Sequence, residues 1–440
     1  MYQAKIQGSP DVRKTGKSSW RFGVYVRRPG DEYFAPIPPK AVRDVVITYD
    51  LRTTAITGKI LLDNDGNKIA EMLPLLGNEQ WHIKILPHEM DLLASKYAGP
   101  IENVTIEHTF DTVNMMIPEL EGIGVGHSHI DIDLVDVETN ILKQTGSVTK
   151  FIPHGTRISD WVRQQIEIAL GPNYINEERW RGSETKLDYP KQIHWNLFDV
   201  IHELKHMMYS SDDNMYFLFR DRKGLFCLDT LNGIMKSPYG FNAIRYRDNV
   251  YTSPADGDIL NNNSVLTSTI DTIDLPDIEE GLHNYDIKSF NPMAKRFKRD
   301  YLTVKDHIEK TKSSIGPGPS LIHKEFCKET NNKNKLVPWK SKTSDRVVPY
   351  RKALFANTTF NVFSITLVTH NGALDRFAGN HVSLTVPEGL LNRRFNQIYS
   401  GAYIATSVSH VWTDHSYKNR MIIVKNTSNV SMNRGFYNER

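Results

Sequence analysis

The chain has 440 residues, enough for two to four domains of about 100–150 residues that bury a core without metals or crosslinks. With 39% hydrophobic and 24% charged residues, and 54 Lys+Arg against 51 Asp+Glu for a net +3, its composition is globular and excludes a globally basic nucleic-acid binder. Cys227 and Cys327 form no C-x-x-C pair, no apolar h-region opens the chain, and no apolar run reaches the ~18–20 residues of a bilayer span. The expectation is free thiols in a protein made and kept in the cytosol, with no stable membrane association, unless a larger assembly carries it out.

From Trp20 to Ile117 short alternating stretches follow one another: FGVYV, DVVITYDL, AITGKILL, KIAEMLP, WHIKI and NVTIEHTF. Period-two alternation bounded by turn residues predicts half-buried antiparallel strands, a β-barrel or sandwich over 1–148. Asp65-Gly66 reads as a hairpin turn between GKILLDN and KIAEML, because glycine accepts the positive φ of a tight hairpin. A calcium loop counted from Asp63 fails, since its sixth and twelfth positions are Lys68 and Pro74. Further on, His127, His129, Asp131 and Asp133 alternate along what reads as the polar face of an edge strand.

Over 149–252 the period changes. Ile158, Val162, Ile166, Ala169 and Leu170 recur at helical spacing between a Ser159-Asp160 start and Gly171. A second helix begins near His194 with a stripe of Leu197, Ile201, Leu204 and Met208, and MYFLFRDRKGLFCLD reads as strand, turn and strand. Together these predict a mixed α/β domain. Residues 253–345, with NNNS, GPGPS and NNKNK, read as an inserted, partly flexible, loop-rich segment. Its basic run from Lys295 to Arg299 lacks interleaved aromatics and reads as a solvated loop. A short helix over YRKALFAN and four alternating stretches then predict a second β-barrel over 346–440.

The sharpest chemical pattern is His202-Glu203-Leu204-Lys205-His206, which fits H-E-x-x-H: two imidazoles one turn apart can bind Zn²⁺, with the Glu activating a water. On the helix, however, both histidines lie roughly 130° to 170° from the apolar stripe, on a polar face. The following MMYSSDD supplies no G-x-x-H, and no Glu stands where a third ligand is needed. A zinc metallopeptidase or tail-associated hydrolase using His202, Glu203 and His206 is therefore the alternative reading, and no metal, cofactor or catalytic residue is assigned. The HSH element resembles that of JAMM-type metallopeptidases, but Val137 and Asn140 occupy the positions of that family's Ser and Asp. No G-x-S-x-G elbow or phosphate-binding glycine loop occurs.

The C-terminal stretch YRKALFANTTFNVFSITLVTHNGALDRFAGNHVSLTVPEG, followed by NQIYSGAYIATSVSHVWTDHSYKNRMIIVKN, resembles the closing barrel of the baseplate hub proteins of contractile-tailed, myovirus-type bacteriophages. Gly379, Tyr403, Val408, His410 and Ile422 to Val424 fall where that pattern wants them. The middle helix and aromatic hairpin, and the N-terminal strands, resemble the hub's other domains, and the likeness extends to spike-base proteins of type VI secretion and other contractile injection systems. It covers most of the chain except residues 253–345.

The resemblance implies a mainly β fold, with two tube-like antiparallel β-barrels flanking an α/β domain. It implies a structural, non-enzymatic homotrimer that adapts a sixfold tail tube to a threefold spike and lines the DNA-ejection channel. Its partners would be the central spike protein, the tail tube or tube-initiator protein and surrounding baseplate wedge proteins, with DNA only in transit. The place would be the virion tail baseplate, assembled in the host cytoplasm.

Overall fold

A computed structural model describes residues 11–15, 18–64, 69, 75–87, 105–116, 129–145, 150–186, 191–193, 196–205, 207–208, 216–235, 237, 240–245, 264–271, 284–291, 296–303, 363–369, 372–388, 394–395, 399–413 and 416–425. The first strands are β1 (Asp11–Thr15), β2 (Ser18–Arg27), β3 (Ala35–Pro36), β4 (Val42–Asp50), β5 (Ile56–Asp63), β6 (Gln80–Pro87), β7 (Ile106–Met116) and β8 (His129–Asp136). Helix α1 (Val137–Gln144), β9 (Lys150–Ile152), α2 (Ile158–Leu170), β10 (Ile175–Trp180), β11 (Lys191–Ile193), α3 (Leu197–Lys205), β12 (Tyr216–Arg220), β13 (Phe226–Thr230) and α4 (Leu231–Met235) follow. Then come β14 (Gly240–Arg245), β15 (Ser264–Asp271), β16 (Asn284–Asn291), β17 (Arg296–Thr303) and β18 (Phe363–Thr369). The chain closes with β19 (His381–Thr385), β20 (Pro387–Glu388), β21 (Arg394–Phe395), β22 (Gly401–Trp412) and β23 (Tyr417–Lys425).

The protein is mainly β, dominated by one 14-stranded, largely antiparallel sheet among the described residues. Its N-terminal course runs β1-β2-β6-β7-β8-β5-β4, with β3 beside β2. Alternation dictates which residues turn inward: Val45, Ile47 and Tyr49 of β4, Ile56, Ile60 and Leu62 of β5, and Ile130 and Ile132 of β8 are all buried. From β4 the sheet passes to β22, and the pairings β22–β19–β14–β15–β18–β23–β22 return to their starting strand. The strands of that closed circuit share an apolar cluster of their own, which includes Leu367, Val382, Tyr403, Val408 and Ile423.

Strand β22 is where the two halves meet. Along one edge it pairs with β23 from Ile404 to Trp412; along the other it pairs with β19 over Gly401–Ile404 and then with β4 over Ser407–Trp412. The exchange happens at a register shift between Ala405 and Ser407, where the Thr406 carbonyl accepts from Leu51 N–H at 2.7 Å and the Ala405 carbonyl from Gly379 N–H at 2.8 Å. A bulge bends a strand and re-aims its edge, which is what a strand serving two sheets requires.

Helices α1, α2 and α3 pack with β10, β12 and β13 around a further cluster. The β12–β13 hairpin lies between two cores. Phe217, Phe219 and Cys227 join the cluster of the N-terminal strands, while Tyr216, Leu218, Phe226 and Leu228 join that of the helices. Burial on both faces explains why MYFLFR and LFCLD are nearly unbroken apolar runs. Their turn is built on Asp221, whose carboxylate accepts from the N–H groups of Lys223 and Leu225, and on Gly224 at φ +76°.

Several expectations change. No hairpin joins 56–63 to the following segment, since both edges of β5 are taken, by β4 and β8; Asp65-Gly66 itself lies outside the described residues. Instead Asn64 accepts a hydrogen bond from Ile69 N–H at 3.0 Å, turning the chain away. Strand β8 is internal, between β5 and β7, not at an edge. The sheet is not wholly antiparallel, because β14 runs parallel to both β19 and β15. Helix α2 starts at Ile158 without a side-chain cap; Ser159 is buried and accepts from Ser183 N–H, while Gly171 ends the helix at φ +103°. The stretch 253–345 carries β15, β16 and β17, and β15 belongs to the closed circuit. The helix expected over YRKALFAN lies outside the described residues.

Gly379 sits at φ +85° two residues before β19, and a Cβ there would lie 3.1 Å from the Phe219 ring and 3.5 Å from Leu51. Gly379→Ala is expected to lower unfolding free energy by about 1–3 kcal/mol through left-handed strain and crowding. Urea melts would check it, and an unchanged midpoint would remove Gly379 from the account of the strand exchange.

Candidate functional site

The H-E-x-x-H motif begins on α3. Asn196 caps α3, its side-chain oxygen accepting from Asp199 N–H at 2.8 Å, so the helix begins three residues after His194. Leu197, Ile201, Leu204 and, just beyond the helix, Met208 are buried as the stripe predicts. Beside that stripe, His202 and Lys205 are engaged with the protein. His202 is half-buried, its Nε2 3.0 Å from Thr54 Oγ1 and its ring 4.5 Å from that of Phe198. Lys205 is buried and donates to the Arg52 carbonyl at 3.0 Å; desolvation pulls its amine down to about 8, against the opposing pull of Asp50. This face docks the helix on the β4–β5 connection. Glu203 is half-buried beside it, and His206 lies outside the described residues. Among the described residues no group of three or more His, Cys, Asp or Glu is placed to hold a metal ion.

The alternating His/Asp strand is engaged across the sheet. His129 Nε2 accepts from Arg43 at 2.6 Å, Asp131 pairs with Lys59 at 2.7 Å, and Asp133 accepts from Asn114 at 3.5 Å. Partly exposed ion pairs of this kind add little stability and no chemistry. His127 lies outside the described residues.

Two buried imidazoles, His108 and His410, come together with Tyr49 and Tyr417 across β4, β7, β22 and β23. Tyr49 on β4 hydrogen-bonds His108 Nε2 on β7 at 2.6 Å, and its ring stands edge-on to His410 on β22, with centroids 5.7 Å apart. His410 Nε2 lies 2.7 Å from the Arg376 carbonyl, which can only accept, so Nε2 carries the proton; Nδ1 accepts from Tyr417 at 2.7 Å and from Asn419 at 3.1 Å. Tyr417 in turn stacks on Trp412, with centroids 4.6 Å apart. Both imidazoles are held neutral. Desolvation first, then the Arg220 cation, push His108 down to about 3. Desolvation likewise pushes His410 down to about 4, against the Arg376 carbonyl.

Beneath this lies a buried ion cluster. Arg220 pairs with Asp136 at 3.1 Å and Glu138 at 3.5 Å, donates to the Gly224 carbonyl at 2.6 Å, and covers the Phe226 ring at 4.0 Å. Asp136 also accepts from Ile56 N–H at 2.7 Å and, as the cap of α1, from Thr139 N–H at 3.0 Å. One carboxylate thus ties β5, α1 and the β12–β13 hairpin together. Arg220 and Asp136 are buried and paired inside the protein, which suits a structural joint. Sequence reasoning singled out His410 through resemblance and missed Tyr49, His108, Asp136, Arg220 and Arg376, whose partners stand dozens of residues away.

No protein-family model matches the sequence, and no curated protein matches it. In structure the chain is similar to the tail protein from Neisseria meningitidis MC58, with TM-score 0.54 and 10% identity over 92% of this chain and 97% of that one. It is similar also to the 43 kDa tail protein of prophage MuSo2 from Shewanella oneidensis, with TM-score 0.53 and 10% identity over 92% and 98%. At such identity the likeness is one of fold, and it spans nearly the whole of each chain. The resemblance to the phage-tail class drawn from the sequence therefore holds at the level of fold.

The buried histidines make a pH prediction. The unfolded imidazoles take protons below about pH 6.5, whereas the folded ones do not until about 4 and about 3. Their contribution is therefore complete above pH 6.5 and is lost as pH falls, by about 2 kcal/mol each at pH 5. Urea unfolding across that window checks this; a flat profile between pH 6.5 and 5 would contradict it.

Proposed function

We propose that the chain is the baseplate hub subunit of a contractile tail: three copies form a ring that adapts a sixfold tail tube to a threefold central spike and lines the DNA-ejection channel. The carrying observation is the fold shared over nearly full length with two tail proteins. On this reading the N-terminal sheet and the C-terminal circuit are two tube-like barrels, and the helices with β10, β12 and β13 are the mixed α/β domain between them. Two such barrels in each of three subunits give a pseudo-sixfold annulus, so one polypeptide can meet a sixfold and a threefold neighbour. The sequence division at 1–148, 149–252, 253–345 and 346–440 is kept in outline, with β14 and β15 contributed to the last unit from the earlier segments.

The ring's partners are then the spike protein, the tail tube or tube-initiator protein and the baseplate wedge proteins, and its place is the virion tail after assembly in the host cytoplasm. The role is structural and not enzymatic. Docking of His202 and Lys205 against Thr54 and Arg52 supports a packing role for the H-E-x-x-H helix. Light scattering with zinc analysis on one sample tests both parts: a mass three times the 50.4 kDa chain without stoichiometric zinc is expected. A zinc-loaded monomer would turn the reading to the peptidase.

A further inference from the structure

Strand β7 outruns one of its neighbours. β6 covers it only from Ile106 to Asp111, while β8 follows the other edge as far as Met116. Thr112 is still held on the β6 side, its N–H and hydroxyl both donating to the Glu79 carbonyl, at 3.2 and 2.8 Å. Beyond it, over Val113–Met116, no strand among the described residues takes that edge. Main-chain groups along a free edge are a template for a further strand.

The side chains at this edge are apolar and exposed. Val113 and Met116 are 64% and 61% exposed, and Leu76, in the turn before β6, is 76% exposed; these are three of the six large apolar side chains that stand exposed among the described residues. The turn is built to hold Leu76 outward: the buried Glu79 carboxylate accepts from the N–H groups of Leu76 and, at 2.9 Å, of Gly77, which takes φ +84°. A Cβ on Gly77 would lie 3.8 Å from Met115 Cε, so the turn sits against the open stretch of β7. Val113 falls at the register shift between Thr112 and Asn114, where a bulge re-aims side chains. Single exposed apolar side chains are ordinary, but a group of them beside an uncovered strand edge marks an interaction site.

The charge bordering the patch is acidic. Asp133 accepts from the Asn114 amide at 3.5 Å, and Asp111 from the amides of Gln80 at 2.8 Å and Asn140 at 2.6 Å. Neither carboxylate lies within ion-pair distance of a cation among the described residues, because Lys59, opposite Asp133 on β5, turns instead to Asp131 at 2.7 Å.

We propose that the Val113–Met116 edge of β7 receives an added β-strand from another polypeptide, a segment in which apolar residues alternate with Lys or Arg. Main-chain hydrogen bonds supply the affinity, Leu76, Val113 and Met116 the apolar contact, and Asp111 and Asp133 the preference for a basic segment. Neither the edge nor the patch depends on the hub reading.

A short peptide alternating valine and lysine, titrated into the full chain and followed by amide hydrogen exchange, tests this, with the valine–glutamate counterpart as control. The lysine peptide should slow exchange within Val113–Met116, and the glutamate peptide should not. Leu76→Ser with Val113→Thr should weaken the lysine peptide about tenfold while leaving the urea midpoint in place, since both side chains are already exposed. Asp133→Lys should weaken it as well. No binding of the lysine peptide, binding without slowed exchange within Val113–Met116, equal binding of the two peptides, or unchanged affinity in either variant would each overturn the proposal.

Discussion

Everything in the fold hangs on one strand, β22, giving its second edge to two different partners. An edge of unpaired N–H and C=O groups must be covered, and here β19 covers the first third and β4 the last half. Because β23 holds the opposite edge from Ile404 to Trp412, β22 belongs at once to the closed C-terminal circuit and to the N-terminal sheet. Two β units that could have been beads on a linker are instead one hydrogen-bonded surface. That continuity fixes the relative placement of the two units more firmly than any single contact.

The side chains around this joint follow from its geometry. Once β4 lies against β22, Tyr49 reaches both His108 and His410, and the three rings pack edge to face. The β12–β13 hairpin closes the floor, bringing Arg220 to Asp136 and Glu138. Burying these ions carries a desolvation cost, and losing one partner would leave another charge uncompensated. The arrangement therefore favours one relative placement of β5, α1 and the hairpin over looser ones.

How much of this the sequence disclosed depended on whether the determining interaction was local. Period-two runs identified β2, β4 to β7, β18, β19, β22 and β23, because alternation records burial on one face. The stripe on α3 and the strand–turn–strand around Gly224 were equally legible. Long-range pairing was not: nothing in AITGKILLDN says that β8, some seventy residues later, will take the edge a hairpin would have used. Strands β14 and β15 were missed because they lie in polar, turn-rich surroundings and gain their place from β19 and β18. At the H-E-x-x-H helix, helical geometry separated His202 from the apolar stripe, yet His202 and Lys205 proved to sit at an interface, since Thr54 and Arg52 come from a distant loop.

The central claim is that the shared strand makes the two β units one cooperative body. Native-state hydrogen exchange on the amides of Val45–Asp50 and Ser407–Trp412, with denaturant added in steps, tests it most directly. The account predicts that both sets, and those of Ile365–Val368 in the far side of the circuit, exchange only with the free energy of global unfolding. If the β4 amides and the β18 amides open with separate free energies, the sheets are independent modules and the joint at β22 is incidental.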